Sequence, residues 1–305
     1  MTATLNRYFI SKTTLWQNEM AVLAQHRIKV RYTGGPADQN VLPAYDGVTS
    51  IDGITRSIQI ILHAYMTGEV VSRATALRGA SLIIKPAKPG SFVFELIALI
   101  EAYPATSTIA ASIAAPMFYD FLKTALRRAT GDVDAEPETP SLRRLYERRD
   151  PPPLKRVRPA DLDEPAETLE GSLQDGHRPI GGASSVGKIS ISTPRTKLIT
   201  LDAETKDWVN KSDAATKLEV LTGNVTRYNS LSRNGRAFVD QLGKVAPFRP
   251  DPDFPEAELG LITWSLHGTN IGMPNKLELR ARRISSANGR IKRLILADCR
   301  RAPTS

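Results

Sequence analysis

A run of apolar residues at helical spacing occupies residues 51–67. Six apolar side chains recur there at three- and four-residue intervals and so fall on one helical face: Ile51, Ile54, Ile58, Ile61, Leu62 and Tyr65. Ser50 stands where an N-cap hydroxyl would accept hydrogen bonds from free backbone amides, and Gly68 stands where a left-handed C-cap residue belongs. Gly53 inside this run favours the close approach of another element. The pattern predicts one amphipathic helix.

Two strand-like runs follow this helix. Residues 79–85 and 91–100 are rich in β-branched and aromatic residues and are separated by a Pro/Gly turn, which is typical of a β-hairpin. The second run is apolar on both alternating faces apart from Glu95, which predicts a central strand covered on both sides. A short helix over 13–26 and an alternating strand over 28–32 are predicted before the long helix.

Helical spacing returns beyond the hairpin. Residues 106–115 and 116–131 predict two helices, with a proline in the first turn of the second. Residues 132–159 contain clustered prolines and charges, which predicts a flexible or extended linker with at most one short helix over 141–148. The first domain is therefore predicted to span residues 1–131 and to be a small, mostly antiparallel sheet with packed helices.

From residue 188 onward the apolar pattern breaks into short strand-like runs. The predicted strands cover residues 189–192, 198–201, 218–228, 236–239, 261–266, 277–284 and 290–297. One short helix around Trp208 interrupts them, and Asn288-Gly289 before the last strand is a strong signal for a tight hairpin turn. Residues 160–305 are therefore predicted to form a mostly β domain built as a small barrel, which makes the fold class α+β.

Composition restricts the chemistry that the chain can perform. Its 305 residues are 41% hydrophobic and 24% charged, which predicts two globular domains. Cys299 is the single cysteine and the four histidines are scattered, so we expect no disulfide, no metal site and no cofactor. The chain shows no signal-peptide core and no apolar run of about 18 residues, so we expect a cytoplasmic protein without a membrane span.

Positive charge is concentrated in two stretches. The formal net charge is +9, and residues 141–158 hold seven basic and two acidic residues, while residues 280–301 hold eight basic and one acidic residue. Clustered positive charge is the usual footprint of a polyanionic partner. The same clusters are also compatible with a soluble surface whose charges pair loosely, and the sequence leaves both interpretations open.

One segment shows a family resemblance. Gly223-Asn-Val225-Thr-Arg-Tyr228-Asn229, followed by Gly235-Arg-Ala-Phe238-Val239, resembles the start of a cold-shock domain. That family has a Gly-x-Val-x-x-aromatic-Asn strand followed by a glycine-rich strand with stacking aromatics, and Tyr228 and Phe238 match aromatic positions. Arg236 stands where an aromatic is expected, and the second aromatic strand with its His is absent. The resemblance implies an OB-like or similar small barrel that binds nucleic acid.

The first functional hypothesis is a non-enzymatic protein that binds RNA or DNA through its basic barrel. Cationic side chains would neutralise phosphates, and aromatic rings would stack on bases. The candidate contacts are Arg227, Tyr228, Arg233, Arg236, Phe238, Arg282, Arg290, Lys292 and Arg293.

Two other functions remain open from the sequence. The protein could be an oligomeric interaction or scaffold subunit of a bacterial multi-protein system, such as one in host defence, with a protein partner or a second copy of itself. The polar face of the long helix carries a possible site formed by Arg56, Gln59 and His63. The protein could also be an enzyme that uses Arg56, His63 and Glu69, or Asp38 and Asp46. His63 is the only plausible base, and no nucleophile, metal set or phosphate loop accompanies it, so no catalytic residue is assigned.

Overall fold

The structure, a computed structural model, describes residues 23–72, 77, 80–85, 92–101, 107–148, 162, 164–181, 185–210, 213–214, 217–273, 275–286 and 289–303. The strands are β1 (Leu23–Thr33), β2 (Ala80–Lys85), β3 (Val93–Glu101), β4 (Lys188–Ser192), β5 (Lys197–Leu201), β6 (Asp213–Ala214), β7 (Glu219–Tyr228), β8 (Gly235–Val239), β9 (Lys244–Pro250), β10 (Leu277–Ser285) and β11 (Ile291–Arg301). The α-helices are α1 (Ala44–Thr67), α2 (Ser107–Ala129), α3 (Pro140–Arg148), α4 (Glu164–Thr168), α5 (Glu170–Gly176), α6 (Ala203–Asn210) and α7 (Leu259–Asn270).

The first five strands form one antiparallel sheet in the order β2-β3-β1-β4-β5. The hairpin predicted over 79–100 is confirmed as β2 and β3, which pair antiparallel. The sheet is larger than predicted, because β4 and β5 join it through β1 instead of entering the barrel. A short apolar strand carries no local mark of its pairing partner, which is why the sequence placed these two strands in the second domain. The helix predicted over 13–26 lies mostly outside the described residues, and residues 23–26 begin β1.

The described residues from β1 to α6 share one hydrophobic core and are called the first body below. One face of the sheet carries this core. Alternate residues of β1 and β3 point inward, as strand geometry requires, and are buried: Ile28, Val30, Tyr32, Phe94, Leu96 and Ala98. Helices α1 and α2 cover this face, where the Tyr65 ring lies 5.4 Å from Phe118 and 5.5 Å from Phe121 between centroids. The intervening residues of β3 are only half-buried, so the prediction of a strand covered on both sides is wrong for the described chain.

Helix α1 begins more than a turn earlier than the sequence predicted and ends, as predicted, at a left-handed Gly68 with φ 77°. Ser50 is therefore not an N-cap. Its hydroxyl donates to the Gly176 carbonyl oxygen at 2.6 Å and accepts from the Tyr32 hydroxyl at 3.0 Å, which joins α1 to α5 and β1. Gly53 provides the predicted close approach, since a Cβ there would collide with the backbone of α5.

The two helices predicted over 106–131 are one continuous helix, α2, with Pro116 inside it. Proline removes one backbone hydrogen bond from a helix interior. The helix continues because the apolar residues after the proline are buried in the core of the first body: Met117, Phe118, Phe121, Leu122, Ala125 and Leu126.

A linker was predicted over residues 132–159, and its described part is residues 132–148. This part packs against α2 and is not extended. The Asp120 carboxylate of α2 accepts from the backbone amides of Glu138 and Thr139 at 3.0 and 2.7 Å. Helix α3 follows as the short helix that the sequence predicted there, and the segment after it lies outside the described residues. These hydrogen bonds make the beginning of the linker part of the first body.

Helices α4, α5 and α6 complete the first body. The buried His177 follows α5, and its ring nitrogens lie 2.7 Å from the Leu173 carbonyl oxygen and 2.9 Å from the Thr205 hydroxyl. Trp208 of α6 is buried, and its ring approaches the backbone at Gly131. Residues 164–210 therefore belong with the first sheet, and residues 160–305 do not form one β unit.

Strands β7 to β11 form a closed five-stranded barrel, which confirms the small barrel that the sequence predicted, although β9 was not among the predicted strands. The order is β7-β8-β9-β11-β10, and β10 pairs with β7 to close it. Strands β9 and β11 run parallel, while the other neighbours run antiparallel. The barrel interior is filled by apolar side chains that include Leu221, Val225, Val239, Phe248, Leu279 and Leu294.

Helix α7 occupies the segment where a strand was predicted over 261–266. A short apolar run cannot be assigned to helix or strand by periodicity alone, which explains the error. The buried Ser265 fastens this helix to the barrel: its hydroxyl accepts from the Val225 amide at 3.0 Å and donates to the Asn275 carbonyl oxygen at 2.7 Å. The hairpin predicted from Asn288-Gly289 is confirmed by the pairing of β10 with β11.

Candidate nucleic-acid interface

Four of the nine predicted nucleic-acid contacts face the first body and bind it. Arg236 of β8 donates to the Asp134 carboxylate at 3.1 Å and to the Val133 carbonyl oxygen. Arg290, in the turn before β11, donates to the Gly131 carbonyl oxygen at 2.8 Å. Both cations are therefore held by the segment that follows α2.

Lys292 and Arg293 of β11 face α4 and α5. Lys292 Nζ lies 2.5 Å from Glu170 Oε1 in a direction unsuited to a hydrogen bond, so this contact is an ion pair. Arg293 lies 2.9 Å from both Glu167 and Glu170. Arg249 of β9 also reaches Glu167 at 3.1 Å. Two acidic residues of the first body thus engage three cations of the barrel.

Trp208 lies at the centre of this interface. The Arg290 guanidinium carbon lies 4.9 Å from the ring centroid, and Lys292 Nζ lies 5.8 Å from it, so both cations contact the aromatic face. A cavity of about 60 Å³ remains between the two bodies, lined in part by Arg236, Phe248 and Glu170. Three of the four candidates here, Arg236, Lys292 and Arg293, are largely buried by these contacts and offer no open track to a polyanion, while Arg290 stays 48% exposed.

The other five candidates lie elsewhere on the barrel. Tyr228 stacks on Phe248 at a centroid distance of 6.2 Å and an angle of 8°, and partial burial raises the pKa of its hydroxyl. Arg233 pairs with Glu256 at 3.2 Å on an exposed loop, and Arg282 pairs with Asp251. The remaining two candidates are Arg227, which is half-buried opposite Arg236, and Phe238.

Phe238 is the open aromatic of the predicted set. It lies on the outer face of β8 with 40% of its surface exposed, opposite Asn224 of β7 and Val245 of β9. Arg236 points outward from the same strand two residues earlier, where the first body covers it. The outer face of the three strands is therefore divided into a covered half around Arg236 and an open half around Phe238.

The polar cluster predicted on α1 does not form a site. Arg56 is engaged by Asp52 at 2.8 Å and by Asp175. His63 Nδ1 lies 3.0 Å from the Glu69 carbonyl oxygen, so its ring holds the backbone at the end of α1. Gln59 lies between them on the same helix. Arg56 and His63 thus serve separate local contacts.

The described residues show no metal-binding cluster. No group of three His, Cys, Asp or Glu side chains in that part of the chain is arranged to hold a metal ion. Burial raises the pKa of the Cys299 thiol to about 12, which keeps it protonated and unreactive. Burial also lowers the pKa of His26 and of His177 to about 4, so both are neutral at pH 7.

The sequence analysis missed a second basic surface. Arg27, Lys29 and Arg31 alternate along β1 with the buried core residues, so all three point to the outer face of the first sheet. The signal was visible in the predicted strand over 28–32, whose cations occupy every second position. Net charge summed over long stretches of sequence does not reveal this surface, because such sums are dominated by the basic clusters of residues 141–158 and 280–301.

None of the described helices is long and apolar enough to cross a membrane. No curated protein and no solved structure matches the chain. The chain does match the family described as "Domain of unknown function (DUF7946)" over residues 28–210. The match runs from β1 to the end of α6 and stops before the barrel. Because it covers more than half of the sequence, the chain belongs to the DUF7946 family.

Proposed function

We propose that the protein is a non-enzymatic nucleic-acid-associated binding protein whose contact surface is the open half of the barrel face around Phe238. Small five-stranded barrels of the OB type bind oligonucleotides on the face of their second and third strands. Here those strands are β8 and β9, and a helix connects the third strand to the fourth. The barrel topology and its family resemblance support the proposal together.

The observation that carries the proposal is the exposure of Phe238 at the middle of this face. Phe238 is a large aromatic side chain with 40% of its surface exposed, so its ring is accessible to a partner. A base can stack on such a ring whatever its identity, since every base has an aromatic face.

The test is the Phe238→Ala variant in fluorescence anisotropy with a labelled 20-nucleotide single strand. Loss of one stacked base is worth about 1–3 kcal/mol, so we expect the affinity to fall about tenfold or more. Ile271→Ala is the matched control, because Ile271 is an exposed apolar residue just after α7. Equal affinity of both variants and the wild-type protein would refute the barrel contact.

A scaffold role is the second candidate, and one observation favours it. Strand β2 pairs with β3 on one side and ends the described sheet, and its Ile83 and Ile84 are 42% and 52% exposed. An exposed apolar edge strand is a ready template for pairing with another chain. Light scattering of Ile84→Lys against the wild-type protein tests it: a wild-type dimer that the variant loses would favour assembly through this edge.

A further inference from the structure

The outer face of the first sheet is open on the side opposite α1 and α2. Residues of β1 that point away from the core are exposed or half-buried, in contrast to their fully buried neighbours. Cross-strand register places Lys29 between Glu95 of β3 and Ser192 of β4. The register also places Arg31 opposite Val93, which orders the outward side chains in rows across the sheet.

This face has a strong excess of positive charge. Among the outward side chains that the structure describes on β1 to β4, Glu95 is the acidic one, and the basic ones are Arg27, Lys29, Arg31, Lys85 and Lys188. None of these five cations forms an ion pair with a described residue. The contrast with the barrel is clear, because there Arg280, Arg282 and Arg283 all pair with acids.

Like charges on alternate positions of one strand repel each other across about 7 Å, the distance spanned by two residues. A sheet face that contacts only solvent would be more soluble with positive and negative charges interspersed. A polyanion that bridges the cations relieves the repulsion and releases its own counterions. The charge pattern therefore fits a negatively charged linear partner.

Apolar residues lie beside the cations. Ile97 of β3 lies opposite Arg27, and Leu99 lies opposite Gln25. Both are half-buried, and Ile83 of β2 continues the apolar surface with 42% exposure. A strand of nucleic acid can place phosphates over β1 and its bases over these side chains.

We propose that the outer face of the first sheet binds single-stranded nucleic acid through its sugar–phosphate backbone. This is a second surface beyond the barrel contact, and it does not require that contact. A flat sheet offers no helix or ribbon for insertion into a duplex groove, which favours a single strand. No aromatic side chain is described among the outward residues of β1 to β4, so binding here is independent of base sequence.

The test is the triple variant Arg27→Gln, Lys29→Gln, Arg31→Gln in the full-length protein. Anisotropy of labelled oligothymidylate and oligouridylate is measured across a salt series. Each neutralised phosphate contributes about 0.7 to the slope of log K against log[salt] for single strands, so the slope should shrink by about 2. The affinity at 0.1 M salt should fall about tenfold or more.

A charge-matched control separates this surface from net charge. Arg195 and Lys217 are exposed cations away from β1, and Arg300 is an exposed cation that pairs with Glu278 on the barrel. Their triple Gln variant carries the same total charge as the test variant. We expect its slope to stay close to that of the wild-type protein. A second test variant, Lys85→Gln with Lys188→Gln, spares β1 and should reduce the slope by about 1. It keeps the test valid if the β1 variant fails to fold.

The outcomes distinguish the two binding surfaces. If the sheet variants lose binding and Phe238→Ala does not, the barrel contact fails and this inference stands. If the sheet variants bind both oligonucleotides as tightly as the wild-type protein, with the same salt slope, the inference is refuted. An equal loss of slope in the control triple would also refute it, because binding would then follow net charge alone.

Discussion

Lys292 and Glu170 form the most enclosed charge pair between the barrel and the first body. The Lys292 side chain is 3% exposed and that of Glu170 is 18% exposed. Removing one partner of a buried pair leaves an unpaired charge in a poorly solvated place, whereas replacing both partners by apolar residues of similar volume is often neutral. Glu170 also serves Arg293, so the two partners of this pair are not equivalent.

We therefore predict that Glu170→Gln destabilises the protein more than Lys292→Met. The first variant leaves the buried Lys292 without its carboxylate partner and should lower the free energy of unfolding by about 3 kcal/mol. The second leaves Glu170 paired with Arg293 and keeps an apolar chain against Trp208, so it should cost about 1 kcal/mol or less. Urea unfolding at pH 7 measures both. Equal costs would contradict the assigned asymmetry.

His26 is the second residue that makes a clear prediction. It is 2% exposed between Phe118 and Tyr119, and neither ring nitrogen has a hydrogen-bond partner among the described residues. Burial lowers its pKa to about 4, while an unfolded histidine has a pKa near 6.5. The unfolded state therefore binds more protons between these values, and stability falls as the pH falls from about 6.5 to 4.

The variant His26→Phe should remove this loss. Relative to the wild-type protein, we expect it to gain about 2 kcal/mol of stability on going from pH 7.5 to pH 5. His267→Gln is the control, because that histidine is exposed and no such gain is expected. Urea unfolding at the two pH values decides the matter. A wild-type protein and a His26→Phe variant with the same pH dependence would show that His26 is not buried in its neutral form.

The sequence could not reveal which basic residues remain open. Arg236 and its partner Asp134 are separated by about a third of the chain, and Lys292 is still further from Glu170 in sequence. Charge counted over a window cannot include such distant partners. Phe238 was found because an aromatic on a predicted barrel strand is a local signal, while its exposure depends on packing that only the fold determines.

At the scale of elements, the crossing of α1 and α5 depends on Gly53. A Cβ at this position would meet the Ser172 carbonyl oxygen and the Gly176 amide, both of which are backbone atoms. Gly53→Ala should therefore destabilise the protein by about 2 kcal/mol, although alanine is the better helix former by about 1 kcal/mol. Gly260 of α7 has open space around it, so Gly260→Ala should be neutral or stabilising. Thermal unfolding compares the two, and a stabilised Gly53→Ala variant would contradict the close packing.

Elements with a strong period were predictable, and those defined by their partners were not. The stripe of α1 and the hairpin of β2 and β3 follow from local pattern and turn residues. The short run that became α7 fits helix and strand equally well. Strands β4 and β5 resemble barrel strands in sequence, and their place in the first sheet depends on pairing with β1.

At the scale of the whole molecule, charge divides the surface into three parts. The barrel face toward the first body pairs its cations with acids of α4 to α6 and the segment after α2. The barrel face around Phe238 is open and mixed in character, and the outer face of the first sheet is open and basic. The net charge of +9 is therefore a poor guide to where a polyanion binds.

The central claim is that the protein binds nucleic acid through its open surfaces. The measurement that tests it most directly is the fluorescence anisotropy of labelled single-stranded RNA and DNA with the wild-type protein, from about 50 to about 300 mM salt. At the lowest salt we expect a Kd of about 1 μM or tighter. We predict binding that weakens with a slope of about −3 to −4, as expected when the five cations of the sheet face contact five phosphates. Absence of binding to either strand at the lowest salt would contradict the account.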